Sequence, residues 1–276
     1  MVDSIAKQAE TGAIREIIFL LTRHRQLTWA MTRREISDRY AGQVVGVLWA
    51  FGHPLAMIAV YIFLFAVVFK ARVGDHAGPG YVVYLLSGLL PWMAFQESMQ
   101  KSGAVLVANS SLVKQVVFPI EILPVKSVLS SLMTQAVGSV VLVLWSPVAL
   151  GSFHLTIFLL PLLWVTQITA MIGVAYLLSA VGTFLRDIKD FVQLFGLIGS
   201  YLVPIAYLPE WVPEAMRPLL YANPFSYMVW CYQDLVFNGT ISHPYAFLVF
   251  PLLALTVFAL GYRVFRRLKP YFGNVL

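Results

Sequence analysis

The apolar positions of the chain gather into long uninterrupted runs only after residue 48. Residues 49–69 hold no Asp, Glu, Lys or Arg, and as a helix they would extend about 31 Å, enough to cross a hydrocarbon core. Further runs over 81–108, 122–145, 157–185, 191–208 and 245–262 bring the expected number of membrane spans to six. The run from residue 81 meets Gln96, Glu97, Gln100 and Lys101 after Phe95, so it crosses only by continuing through this polar patch. Between the last two runs, residues 209–237 form two short apolar pieces punctuated by Glu210, Glu214, Arg217 and Asp234. Such backbone is tolerated at membrane depth only where protein or water covers it, and a pair of re-entrant helices is the expectation. The fold class is therefore all-α integral membrane.

Ahead of the first run the pattern changes. Thr32 with Glu35 three residues later reads as a capping box, and Met31 and Ile36 sit at the positions of a hydrophobic staple, which predicts a helix start after a break near residues 22–32. Ile36, Tyr40, Val44, Val47, Leu48 and Phe51 then recur at helical steps as one apolar stripe, while Arg33, Arg34, Asp38, Arg39 and Gln43 fall elsewhere. Glu35 and Arg39 stand in the favoured order for an i,i+4 pair. A basic amphipathic helix leading into an uncharged stretch predicts a segment lying in the headgroup layer. Taken alone, the same pattern also fits a surface helix of a soluble domain.

Two compact charged elbows interrupt the spans. Residues 109–124 carry Lys114 and are closed by Pro119 and Pro124, and residues 186–190 place four charges in five positions. Lys126 reads as a side chain snorkelling from the inner end of the third span. Glu97 and Lys101 are predicted to pair at i,i+4, either neutralising each other near the interface or lining a wet cavity. Thr166, Gln167 and Thr169 in the fourth span are expected to bond neighbouring helices, with pore lining as the alternative.

Composition removes the soluble reading. Hydrophobic residues make up 59% of the chain against about 45–50% in a typical soluble protein, and charged residues only 12% against about 25%. The net charge of +6 is explained by topology, because sixteen of the nineteen Lys and Arg fall on the side of the N-terminus. The expected domains are a cytoplasmic region over 1–48, a six-span domain over 49–262 and a cytoplasmic tail over 263–276. Basic residues that follow the membrane suit anionic lipid rather than nucleic acid. Residues 1–16 contain three acidic residues and no early apolar core before a small-residue site, so they do not resemble a removable signal peptide. The single cysteine, Cys231, excludes an internal disulfide.

Several chemistries find no residues to support them. The sequence contains no GxxxxGK[ST], no HExxH and no GxSxG, and its five histidines are scattered. A P-loop, a zinc site and a serine-nucleophile elbow are thereby absent, and ATP-driven work would need a partner. His53 and His243 each precede a proline at a span boundary, which favours loop roles.

The ordered segments REISDRYAGQVVGVLWAFGHPL, LLPWMAFQESM, NSSLVKQVVFPIEILP, LRDIKDF, PIAYLPEWVP and ANPFSYM resemble the membrane subunit of type 2 ABC exporters, in the bacterial branch that exports cell-surface polysaccharides. The resemblance implies a six-span homodimer in the bacterial inner membrane, paired with two ATPase subunits that bind ATP and Mg²⁺; this chain would bind no cofactor or metal. The cargo would be a lipid-linked polysaccharide of capsule, O-antigen or teichoic-acid type, passed to periplasmic export machinery. It implies ATPase coupling by Arg33, Arg34, Glu35, Arg39 and Tyr40 of the interface helix, Ser111, Leu112, Val113 and Lys114 of the first elbow, and Arg186 and Asp187 of the second. Trp211, Asn223, Pro224, Tyr227 and Trp230 would form the outer gate, with Asn223 and Pro224 setting a turn rather than touching cargo.

Aromatic residues make up 14% of the chain, and ring faces suit sugar C–H groups. Tyr61, Phe65, Tyr84, Trp92, Phe95 and Tyr201, with Glu97 and Lys101, are the candidate translocation path, although Tyr and Trp also belong in interface belts. Three other functions compete: an ion-coupled secondary transporter of a lipid or glycolipid, which would want inverted repeats and embedded charges; an ABC permease for a different cargo; and an intramembrane enzyme.

Overall fold

The computed structural model of the chain describes residues 22–70, 72–73, 76–114, 118–185 and 187–276, the side chains of residues 47, 72, 73, 76 and 77 excepted. Helix α1 covers Arg25–Asp38. An exposed turn and a 3₁₀ turn at Gly46–Leu48 lead into α2, Trp49–Tyr61, which continues as π-helix over Ile62–Val68. A two-residue antiparallel hairpin, β1 (Arg72–Val73) and β2 (His76–Ala77), turns the chain into α3, Pro79–Ala108. Then follow α4 (Ser110–Val113), α5 (Ile122–Leu150), a 3₁₀ turn at Leu155–Leu159, α6 (Leu160–Phe184) and α7 (Ile188–Leu202). The last part holds two short helices, α8 (Arg217–Ala222) and α9 (Pro224–Gln233), a π-helical extension over Asp234–Asn238, and the long α10, Pro244–Val275.

Four helices among the described residues are long and apolar enough to cross a membrane: Trp49–Val68, Ile122–Leu150, Leu155–Phe184 and Pro244–Val275. The other two expected spans exist as helices of different character. α3 is long but carries the polar patch at Gln96–Lys101, and α7, with 15 residues, reaches only about 22 Å.

Burial separates the helices by role. Ahead of its polar patch α3 buries Val82, Val83, Leu86, Leu90, Trp92 and Phe95 in succession, on more than one face, so it is the central post, packed against α5, α6 and α9. α2 buries only Ala50, Pro54 and Ile58, a stripe at four-residue steps, and leaves the rest of its circumference, mostly apolar, partly or fully exposed. α7 likewise buries only Val192, Gly196 and Gly199. Lipid gives apolar helices little hydrophobic reason to associate, so close packing and hydrogen bonds must hold them. The crossing of α6 and α10, the most extensive in the fold, depends on Gly173 and Gly261. A Cβ on Gly261 would lie 2.0 Å from the Gly173 carbonyl oxygen. Gly103 of α3 and Gly182 of α6 make a second backbone contact of the same kind.

The expected break falls at His24, but helix α1 departs from the sequence reading in two ways. It runs unbroken from Arg25, so Thr32 is mid-helix and no capping box forms with Glu35. The hydroxyls of Thr28 and Thr32 donate instead to the carbonyls four residues back, His24 and Thr28, at 3.1 and 2.8 Å. Both threonines are buried against α5, and that burial decides which of the two hydroxyl options is taken. The helix also stops at Asp38: Gly42 and Gly46 adopt φ of 78° and 56°, conformations that end helices. The stripe from Ile36 to Phe51 is therefore cut, and Val44 is fully exposed.

Candidate functional site

One end of the bundle gathers α1, both elbows and the end of α10. There, charges from three helices form a connected network. Glu35 of α1 meets Lys126 of α5 at 3.2 Å and Lys101 of α3 at 3.5 Å, and accepts a hydrogen bond from Ser130 Oγ at 2.8 Å. Lys101 donates to Ser130 Oγ at 2.8 Å and pairs with Glu97 at 2.9 Å, and Glu97 pairs with Arg39 at 2.9 Å. The predicted Glu97–Lys101 pair is thus real but does not stand alone. The predicted Glu35–Arg39 pair is replaced by inter-helix partners, because these carboxylates point into the bundle, where α5 and α3 supply cations. Lys126 does not snorkel: its side chain is only 12% exposed and its ammonium is spent on Glu35. The i,i+4 pair that does form on α1, Arg34–Asp38 at 3.4 Å, is open to solvent and worth about 0–1 kcal/mol.

The elbows sit on this network's flank. In the first, Asn109 Nδ2 donates to the Val105 carbonyl at 2.7 Å, and the Asn109 carbonyl accepts from the amides of Leu112 and Val113. This turn presents Ser111 and Lys114 outward and folds Leu112 and Val113 partly into the core. Residues 115–117 and Arg186 lie outside the described residues; Asp187 is exposed ahead of α7. After the first elbow, Glu121 is buried and pairs with Lys269 of α10, while its carbonyl accepts from Tyr176 OH at 3.1 Å. Tyr176, Phe265 and Phe272 then follow one another as a buried aromatic column in tilted and edge-to-face contact, the ring centres 5.0 and 5.3 Å apart.

At mid-bundle a polar knot replaces apolar packing. Gln135 of α5 and Gln167 of α6 exchange amide hydrogen bonds at 2.9 and 2.8 Å, Gln167 also donates to the Pro91 carbonyl at 3.2 Å, and Tyr232 donates to Gln167 Oε1. All three side chains are buried, so each amide must find its partner inside the protein. Gln167 bonds neighbouring helices, as expected. Thr166 and Thr169 instead donate to carbonyls of their own helix.

Next to the knot, Trp92 and Phe95 of α3 meet the edge of Phe225 of α9, with ring centres 5.1 and 5.0 Å apart. Trp92, Phe195, Gly199, Tyr207, Val212, Leu219, Asn223 and Phe225 border an open, largely apolar cavity of about 660 Å³ between α3, α7 and α8. Asn223 caps α9 by accepting from the Phe225 amide at 3.1 Å, and Pro224 fills the first helical position. Their turn-setting role follows directly.

The opposite end of the bundle is closed by aromatic and polar contacts. Trp230 stacks on His243 at 5.2 Å with Tyr221, Tyr227 and Tyr245 around it. The fully buried Asp234 accepts from the His243 amide at 2.7 Å and from Asn238 at 2.7 Å. The π turns at 234–238 leave carbonyls out of register, and Thr156 takes up that of Leu235 at 2.7 Å.

A sequence profile described as ABC-2 type transporter matches residues 26–237. The chain belongs to the ABC-2 type transporter membrane family. It is 30% identical over 251 residues, 89% of this chain and 93% of the relative, to "O-antigen export system permease protein RfbA" of Klebsiella pneumoniae. A protein of the same printed name from Myxococcus xanthus is 28% identical over 79% of this chain and 83% of its own length. "Polysialic acid transport protein KpsM" of Escherichia coli is 25% identical over 86% of this chain and 91% of its own length.

In this ABC-2 chain the residues singled out from sequence fall into groups. Glu35, Arg39, Glu97 and Lys101 come together; Arg33 and Arg34 are exposed on the other side of α1, and Tyr40 lies under the Arg39 guanidinium. Tyr61 and Phe65 stack on one another, half-buried, and Phe65 meets Tyr81 at 5.4 Å. Tyr84 is buried and donates to the Tyr207 carbonyl at 2.9 Å. Tyr201 and Trp211 are exposed. Sequence reasoning missed the partners Ser130 and Lys126 of the network, the Glu121–Lys269 tie and Asp234. The available signal was the rarity of ionisable residues near apolar helices, which marks each as needing a partner.

Proposed function

We propose that this chain is the membrane-spanning subunit of an ATP-driven exporter that moves a lipid-linked cell-surface polysaccharide, of O-antigen or capsule type, across the bacterial inner membrane. The observation that carries this reading is the near full-length similarity to relatives named for O-antigen export and polysialic acid transport. In this reading α3 and α7 complete a six-span bundle, α8 and α9 form the re-entrant pair, and both termini are cytoplasmic. The elbow end then faces two copies of a separate ATPase that holds ATP and Mg²⁺, the working unit contains two copies of this chain, and periplasmic machinery receives the product. The sequence has no P-loop, so the energy source must lie in the partner.

The cavity bordered by Phe195, Tyr207 and Phe225 supports a carbohydrate path, since partly exposed aromatic faces bordering open space can stack on sugar rings. The test is complementation of a strain lacking its own O-antigen permease, with this chain expressed with and without its ATPase. Surface polysaccharide should require both and should vanish when the ATPase's Walker lysine is replaced. Export that persists with that lysine mutated would overturn the proposal.

A further inference from the structure

The interface helix has two physical routes into the bundle: along the chain into α2, or sideways through side chains into α3 and α5. The chain route is soft. Between Asp38 and Trp49 the backbone passes through Gly42 and Gly46 with left-handed φ, and a Cβ added at either glycine would meet no atom within 4 Å. Gln43, Val44 and Val45 are exposed, and the backbone hydrogen bonds of this stretch reach no more than four residues away. A segment held only by local turns bends at its dihedrals when pushed.

The lateral route is stiff. Thr28 and Thr32 bury α1 against α5, and the ion network fixes its far end to both neighbours. Glu35 holds Lys126, Lys101 and Ser130 at once, and Arg39 holds Glu97. Partly buried pairs of this kind are screened by salt much less than surface pairs, and each of the two carboxylates faces two cations, which restrains its position. Glu97 and Lys101 lie on the same helix as Trp92 and Phe95, which touch Phe225 of α9.

We propose that Glu35, Arg39, Glu97, Lys101 and Lys126 are positioning residues that carry displacement of the interface helix into α3, and from there to the aromatic contact with α9, bypassing the covalent link to α2. The proposal rests on the ATP-driven reading above and assigns to that reading its mechanical route.

The experiment measures ATP hydrolysis and polysaccharide export together, in cells and in the purified complex with its ATPase, for four forms: unaltered chain, Lys126→Met, Lys126→Arg, and a Gly-Ser insertion between Gln43 and Val44. Lys126→Met is expected to reduce export by roughly fivefold or more, the scale of an allosteric coupling, while hydrolysis stays within about twofold of the unaltered complex. Lys126→Arg should restore export, and the insertion should leave it within about twofold. Loss of export in the insertion form, retained export in Lys126→Met, or a parallel fall of hydrolysis and export in Lys126→Met would each overturn the lateral route. Failure of the unaltered complex to export in an ATP-dependent way would instead remove the function proposed above.

Discussion

Lys269, near the end of the last helix, donates to Glu121 at the base of the first elbow, and the Glu121 side chain is only 7% exposed. The second carboxylate oxygen of Glu121 has no hydrogen-bond partner among the described residues, so Lys269 is the cation on which this buried charge depends. Removing Lys269 strands a charge, whereas removing both charges leaves only a neutral amide to satisfy. Lys269→Met should therefore destabilise the protein by about 1–3 kcal/mol, the cost of leaving a buried polar group unsatisfied. Glu121→Gln combined with Lys269→Met should recover part of that loss. Thermal unfolding midpoints in detergent for the two single variants and the double one check this; a double variant no better than Lys269→Met would refute it.

Gln167 is the hub of the mid-bundle knot, bonded to Gln135, Tyr232 and the Pro91 carbonyl. Inter-helix hydrogen bonds in membrane proteins average only about 0.6 kcal/mol each, so the expected cost of Gln167→Ala is about 1–3 kcal/mol rather than a sum of strong bonds. Gln135 has its two side-chain partners in the same knot. Gln135→Leu in the Gln167→Ala background should therefore cost less than in the unaltered chain. Additive losses in a double-mutant cycle would show that the two amides act independently.

Gly261 offers a sharper contrast, because the obstacle to a side chain there is backbone. Gly261→Ala would force apart the α6–α10 crossing against the Gly173 carbonyl, and overpacking of that order costs typically about 1–3 kcal/mol. Gly273→Ala is the control, since its Cβ would meet nothing within 4 Å. The yield of monodisperse protein after solubilisation should fall for Gly261→Ala and hold for Gly273→Ala; equal yields would contradict the close crossing.

What the sequence made legible follows from the range of each signal. Apolar length is local, so α2, α5, α6 and α10 were visible as runs. Asn223-Pro224 was legible as a turn because a cap followed by proline is a two-residue signal. Glu35 was not legible in the same way: its i+4 neighbour Arg39 stands beside it in the chain, whereas its true partners come from α3 and α5. Lys126 misled for a related reason, since a lysine near a span end looks alike whether it reaches for water or for a carboxylate. The start of α1 was hidden because a threonine hydroxyl can cap a helix or bond back within one, and only burial against α5 decides. The stop at Asp38 had its signal in Gly42 and Gly46, which the apolar stripe overrode.

α10 runs without interruption from Pro244 to Val275, about 48 Å of helix. It is tethered beside its first residue by His243 to Asp234, and in its last turns by Lys269 to Glu121. The distance between the two tethers is set by covalent geometry and not by the surrounding lipid. The two ends of the bundle are thus mechanically joined through one rod: when α10 tilts, both tethers travel with it, and the aromatic cap around Trp230 and the first elbow must tilt together.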